Sequence, residues 1–184
     1  MGADAVLAEV SGATMKFRRI TRAVCALSVL AGALSIPVLS HAQGKTDAFV
    51  GTWKLDVDNS VFDPGPPPIS RTMTIVPVDN GQTHQIDSMI PLSGMTKTAV
   101  SFSYTAKFDG TGAPVMGSSN LETVSIKRID ARSIERVGKI RGMAAETCTM
   151  KVSPDGRRLT MVVKGSGEIP YSSTQVFVRQ AAPK

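Results

Sequence analysis

From Gln43 onward runs in which apolar residues fall at every second position recur along the chain, and no 3.6-residue apolar period holds for three turns. Thr52 to Val57 alternates, with Trp53, Leu55 and Val57 on one face. Ser70 to Val78 and Thr83 to Ile90 are two such runs about Asp79-Asn80-Gly81, a tight-hairpin sequence because Asn-Gly tolerates a positive φ. Thr98 to Ala106 sets Val100, Phe102 and Tyr104 against Ala99, Ser101 and Ser103, and Asp109-Gly110 turns the chain. Thr123 to Ile129 and Ser133 to Ile140 meet at Asp130-Ala131-Arg132. Ala144 to Val152 and Arg158 to Lys164 meet at Ser153-Pro154-Asp155-Gly156, and Ser173 to Arg179 is the last run. The pattern predicts an all-β domain with strands at meander spacing. Connections this short exclude parallel crossovers. The expected fold is an antiparallel up-and-down barrel of about eight to ten strands, with a sandwich as the alternative.

One segment breaks the alternation. Pro64-Gly65-Pro66-Pro67-Pro68 can be neither helix nor central strand. It reads as a stiff connection between the first two strands, with Val61 and Phe62 tucked against a barrel end. The other reading is a recognition site for a proline-reading partner.

Upstream of Gln43 the pattern is that of an address. Lys16, Arg18, Arg19 and Arg22 form a positive start, Ala23 to Leu39 is uncharged and apolar, and Ser40-His41-Ala42 offers small residues at the two positions a signal peptidase reads. Residues 15–42 are therefore expected to be a cleavable secretory signal, cut before Gln43. The apolar stretch is short of the roughly 20 strongly apolar residues of a spanning helix, so no permanent membrane anchor is expected after cleavage. Residues 1–14 read as an upstream start chosen in error, and residues 43–184 as a single barrel domain.

Removing the leader changes the composition. Four of the 21 basic residues lie in the signal and two of the 15 acidic ones before it, which turns a formal charge of +6 into a spread-out +4. Clusters such as Lys139-Ile140-Arg141 and Gly156-Arg157-Arg158 fall in turn contexts and read as solvated hairpin tips, so no nucleic-acid partner is expected. Cys148 is the one remaining cysteine, which excludes an intrachain disulfide even in an oxidising compartment.

The chemistry left is sparse. His84 is the remaining histidine; Asp87 is three positions on and faces the opposite side of a strand. It reads as a surface or turn-proximal polar residue rather than a catalytic one. Metal ligands are too few for a zinc site and no cofactor is implied. Cys148 alternates with Met150 and Val152 and so faces the core, where burial makes a thiol inert. Glu146 shares that phase, Arg128 is in phase with Val124 and Ile126, and Tyr104 is in phase with Phe102. Polar groups that face into a barrel orient ligands, which makes Tyr104, Arg128 and Glu146 the candidate ligand-binding residues. The competing reading is that each lies past the rim and is simply solvated.

Phe49-Val50-Gly51-Thr52-Trp53-Lys54-Leu55 resembles the Gly-x-Trp opening of the calycin superfamily, the lipocalins and fatty-acid-binding proteins. The resemblance implies a lipocalin-like barrel in which Trp53 closes the bottom and a basic residue of the last strand, here Arg179, packs over its ring. Gly51, Trp53 and Arg179 carry over as structural positions. The proline-rich loop stands where fatty-acid-binding proteins have a helical lid. The chain also resembles a set of uncharacterised small exported bacterial proteins, through Gly51-Thr52-Trp53-Lys54-Leu55, Phe62-Asp63-Pro64-Gly65-Pro66-Pro67-Pro68, Glu122 to Asp130 and Val152-Ser153-Pro154-Asp155-Gly156. That resemblance implies a periplasmic or secreted bacterial protein.

The leading expectation is thus an exported, non-catalytic binder of a small apolar or amphipathic ligand. The alternatives are an isomerase or hydrolase acting at the barrel mouth, which the scarcity of His and paired acids disfavours, and an envelope or inhibitor protein with a filled barrel. The volume of the interior discriminates among them.

Overall fold

Strand order follows from the turns. The computed structural model describes residues 47–93, 96–117, 119–167 and 170–181, so the predicted export signal lies outside the described residues. Within them all regular structure is strand: β1 (Gly51–Asp63), β2 (Ser70–Val78), β3 (Gly81–Pro91), β4 (Lys97–Lys107), β5 (Ala113–Pro114), β6 (Met116–Gly117), β7 (Thr123–Asp130), β8 (Ser133–Ile140), β9 (Met143–Val152), β10 (Arg158–Gly165) and β11 (Tyr171–Arg179). They form one antiparallel sheet in the order β5-β7-β8-β9-β10-β11-β1-β2-β3-β4-β6.

Two meanders, β1 to β4 and β7 to β11, are joined by the last strand pairing with the first: Trp53 faces Arg179 and Asp63 faces Ser172. The two edges that remain, on β4 and β7, are bridged by a single stretch of chain. Gly117 in β6 pairs with Phe102, Ala113 in β5 pairs with Val124, and Val115 alone separates the two short strands. Asp109 bridges to Lys127 lower on the same side. Residues 109–117 therefore act as one broken strand between β4 and β7, and the barrel is nearly closed. The alternation did not foretell this strand, because Gly110, Gly112, Pro114 and Gly117 are poor strand formers.

β1 also runs further than expected, past Val57 to Asp63, across a register shift between Asp56 and Val61. Ser60 stitches the irregularity: its hydroxyl donates to Asp56 O (2.6 Å) and accepts from Val176 N–H (2.9 Å). Neighbouring strand residues point to opposite faces, so Phe62 packs against the core while Val61 is 65% exposed. Only one of that pair tucks in. Pro64 to Pro68 then makes the connection to β2, with Pro68 buried.

The other end is closed by side chains. Residues 47–50 lie there, with Phe49 buried and Trp53 Nε1 donating to Phe49 O (2.8 Å). The Arg179 guanidinium sits 4.1 Å over the Trp53 ring and donates to Ala48 O and Val50 O (2.5 Å each) and to Gly156 O (2.7 Å). Gly51 is held at φ +135, and a Cβ there would stand 2.7 Å from Arg179 Nη1. Trp53, Phe177, Leu159 and Ile75 form the floor of the core.

Candidate functional site

The mouth is the end away from Trp53, where β1, β3, β8 and β10 finish. From it a cavity of about 840 Å³ runs into the barrel, within the range of small-molecule sites. Its wall is mainly apolar, with Met73, Ile86, Phe102, Met161 and Val163, and Phe62 and Pro68 stand at its edge. The interior is open, not filled.

Strand alternation also puts charge into this wall. Arg71 follows the phase of Met73 and Ile75, Arg136 that of Ile134, and Glu146 that of Cys148 and Met150. All three border the cavity. Arg71 Nε donates to Ser88 Oγ (2.9 Å) and its Nη1 to Gln175 Oε1 (2.8 Å). Gln175 Nε2 donates in turn to Ser173 Oγ (2.9 Å). Among the described residues no carboxylate pairs with Arg71. Burial, then repulsion from Arg136, lowers its pKa from the ordinary guanidinium value.

Arg136 is buried and pairs through Nη2 with Glu146 Oε1, while its Nε has no hydrogen-bond partner among the described residues. Tyr171 donates its hydroxyl to the other Glu146 oxygen (2.6 Å). Burial works against the Arg136 charge, but the acidic groups around it, Cys148, Tyr104 and Glu146, outweigh burial and raise its pKa. Burial pushes the Cys148 thiol up to about 11, so it stays protonated. Asp63 borders the cavity from the solvent-exposed rim.

Below the cavity lies a second polar group. Tyr104 and His84 are stacked, with ring centroids 4.8 Å apart and the hydroxyl 3.0 Å from His84 Nδ1. His84 Nε2 lies 2.9 Å from Gln82 Oε1, and Gln82 Nε2 donates to Asp47 Oδ2 (2.8 Å). Asp47 also pairs with Arg128, whose guanidinium stacks 4.0 Å over Phe108. Burial, then the nearby Arg136 charge, lowers the His84 pKa to about 3; burial also raises Tyr104 to about 12. Both are neutral at ordinary pH.

No protein-family model matches the chain and no curated protein does. Among solved structures, the chain is similar to the zebrafish ileal bile acid-binding protein complexed with cholic acid. The TM-score is 0.41 and the identity 10%, over 72% of this chain and 99% of that one.

The candidates read from sequence separate by depth. Glu146 borders the cavity. Tyr104 faces inward as its phase requires, but it lies beneath the cavity with His84. Arg128 also faces inward, at the closed end, where Asp47 and Phe108 hold it away from the cavity. His84 corrects an expectation: it is fully buried rather than at the surface, because Gln82 and Tyr104 satisfy both of its ring nitrogens. It has a hydroxyl neighbour and reaches a carboxylate only through Gln82, and it does not border the cavity. Arg71 and Arg136 were not among the candidates read from sequence. The signal was present, since both keep the phase of core residues, but a charged residue in an apolar phase reads first as a strand end. Among the described residues no cluster of His, Cys, Asp and Glu could hold a metal.

Proposed function

We propose that this chain is an exported binder of a small amphipathic molecule carrying an acidic head group. The observation that supports this is Arg71, a cation without a carboxylate partner among the described residues, facing the same 840 Å³ cavity as Arg136 and its single internal counter-ion Glu146. Removing a cation from water is costly unless it is paired. An anionic ligand supplies the missing charge, and the apolar wall takes its tail. Glu146, tied to Tyr171, borders the same cavity and holds Arg136 in place beside it.

The test compares decanoate with decanol, which share a chain and differ in charge. Calorimetry should show decanoate binding at least about tenfold tighter, the scale of one charge-assisted hydrogen bond. Arg71→Gln should abolish most of that preference and leave decanol unchanged. Equal binding of the two probes, or binding of neither, overturns the anionic reading.

A further inference from the structure

Arg71 is the centre of a hydrogen-bonded group on the cavity wall, and it fixes the polarity of every bond in that group. A guanidinium donates and cannot accept. Ser88, directly across the β2–β3 ladder, must therefore accept from Arg71 Nε (2.9 Å), and Gln175 must turn its carbonyl to Arg71 Nη1 (2.8 Å). The Gln175 amide nitrogen then faces Ser173 Oγ (2.9 Å), so Ser173 also has to accept. Each serine spends a lone pair in this way, and among the described residues neither gives its hydroxyl proton to a protein acceptor. Arg71 Nη2 makes no hydrogen bond among the described residues either, and it is not sealed from solvent. Arg71, Ser88 and Ser173 all border the cavity. What the group leaves unpaired there is chiefly donors. Arg136, which borders the same cavity, repeats the imbalance: its buried Nε is a donor without an acceptor among the described residues.

We infer that Ser88 and Ser173 bind the acidic head group of the ligand together with Arg71, and that Gln175 is the positioning residue that holds Arg71 and Ser173 in place. The group they bind is an ionised oxyanion of the carboxylate type. A carboxylate brings two oxygens and no proton, which matches several separate donors; an alcohol brings one oxygen and a proton of its own. Ser88, Ser173 and Gln175 are all buried, so bulk water competes weakly for these bonds. A guanidinium gains selectivity for an acidic group from fixed geometry as much as from charge, and Gln175 and Ser88 fix it on two edges. The competing role is a brace. The β1–β2 ladder runs from Gly51 to Lys54, and Arg71 reaches from β2 to Gln175 on β11 beyond its end. A brace uses Arg71 and Gln175 but has no use for two uncommitted hydroxyl protons. The inference rests on the anionic-ligand reading above.

The experiment titrates the purified protein with decanoate and with decanol by calorimetry, in the wild type, Ser88→Ala, Ser173→Ala, Gln175→Glu and Arg71→Gln, and follows the urea unfolding of each. Ser88→Ala and Ser173→Ala should each weaken decanoate by about tenfold, the scale of a hydrogen bond to a charged group, and weaken decanol by no more than about threefold. Serines that serve only as acceptors for Arg71 and Gln175 predict the opposite sign. Removing them would free N–H groups for the ligand, and decanoate would bind unchanged or tighter; that result overturns the inference. Gln175→Glu gives Arg71 an internal counter-ion and should cost decanoate its preference over decanol. A group that only braces the sheet would gain in unfolding midpoint and leave decanoate unchanged, which also overturns the inference. If Arg71→Gln weakens decanoate while the serine variants do not, the serine site fails and the anionic reading stands. If Arg71→Gln has no effect, the anionic reading fails and the serine site with it. If one serine variant does not fold, the other carries the test. Failure of both to fold assigns the hydroxyls to stability and overturns the binding role.

Discussion

His84 is held neutral by its surroundings, and this links the stability of the barrel to pH. Its folded pKa is about 3, lowered from 6.5 mainly by burial and then by Arg136. The unfolded chain therefore binds a proton that the folded chain refuses throughout the window between those values. Stability from this group is complete above pH 6.5, falls as the pH drops below it, and stops falling near pH 3. The slope reaches at most about 1.4 kcal/mol per pH unit. Urea unfolding between pH 7 and pH 4 should show this loss, and His84→Gln should flatten it whatever its effect at neutral pH. An unchanged slope in the variant would mean that other groups carry the acid sensitivity. Arg179 at the closed end is a cation of another kind: half-buried, stacked on Trp53 and bonded to three carbonyls, it seals the floor with no counter-ion among the described residues.

At the scale of elements, hairpins carry most of the fold, and the one at Asp79-Asn80-Gly81 shows how the demands on a turn are divided. Asn80 takes the positive φ, at 48°. Gly81 does not; it is already the first residue of β3, and a Cβ there would come within 2.2 Å of Ala106 O and 2.9 Å of Lys107 Cα. Those are backbone atoms of β4, which cannot rotate away. Gly81→Ala should thus destabilise the barrel by about 2 kcal/mol or more in denaturant unfolding, a clash of the over-packing type rather than a turn defect. Asn80→Ala tests the turn itself and should cost less. The same hairpins made the fold legible in the sequence: alternation plus turn chemistry located β2 to β4 and β7 to β11, because each strand is bounded by a residue that must turn. What the sequence hid were β5 and β6, where glycine and proline replace alternation, and the far half of β1, which lies beyond a bulge. Of the site, the phase of Glu146 and Cys148 was readable. The phase of Arg71 and Arg136 was readable too, but not their burial, which depends on partners from β3, β9 and β11.

The whole molecule divides its labour by height. The floor is aromatic, backbone-bonded and shut; the upper half is open and charged; the hydrogen-bonded chain from Asp47 through Gln82 and His84 to Tyr104 lies between them. Such a division suits a carrier that must keep its shape whether occupied or empty. The proposed export of the protein is tested by N-terminal sequencing of material recovered outside the cytoplasm, which should begin at Gln43 or within a few residues of it. A start at Met1 or Met15 overturns the cleavage. The pairing of β1 with β11 has a consequence for how the protein is made. Trp53 is among the first barrel residues to be synthesised, and its ladder partner Arg179 is among the last. Until the ribosome releases the final strand, β1 has one bare edge and β10 another, and no amount of earlier hairpin formation can cover either. The growing chain therefore has to be protected, or kept unfolded, until that strand is made, and the proposed ligand has no finished cavity to enter before the last strand arrives.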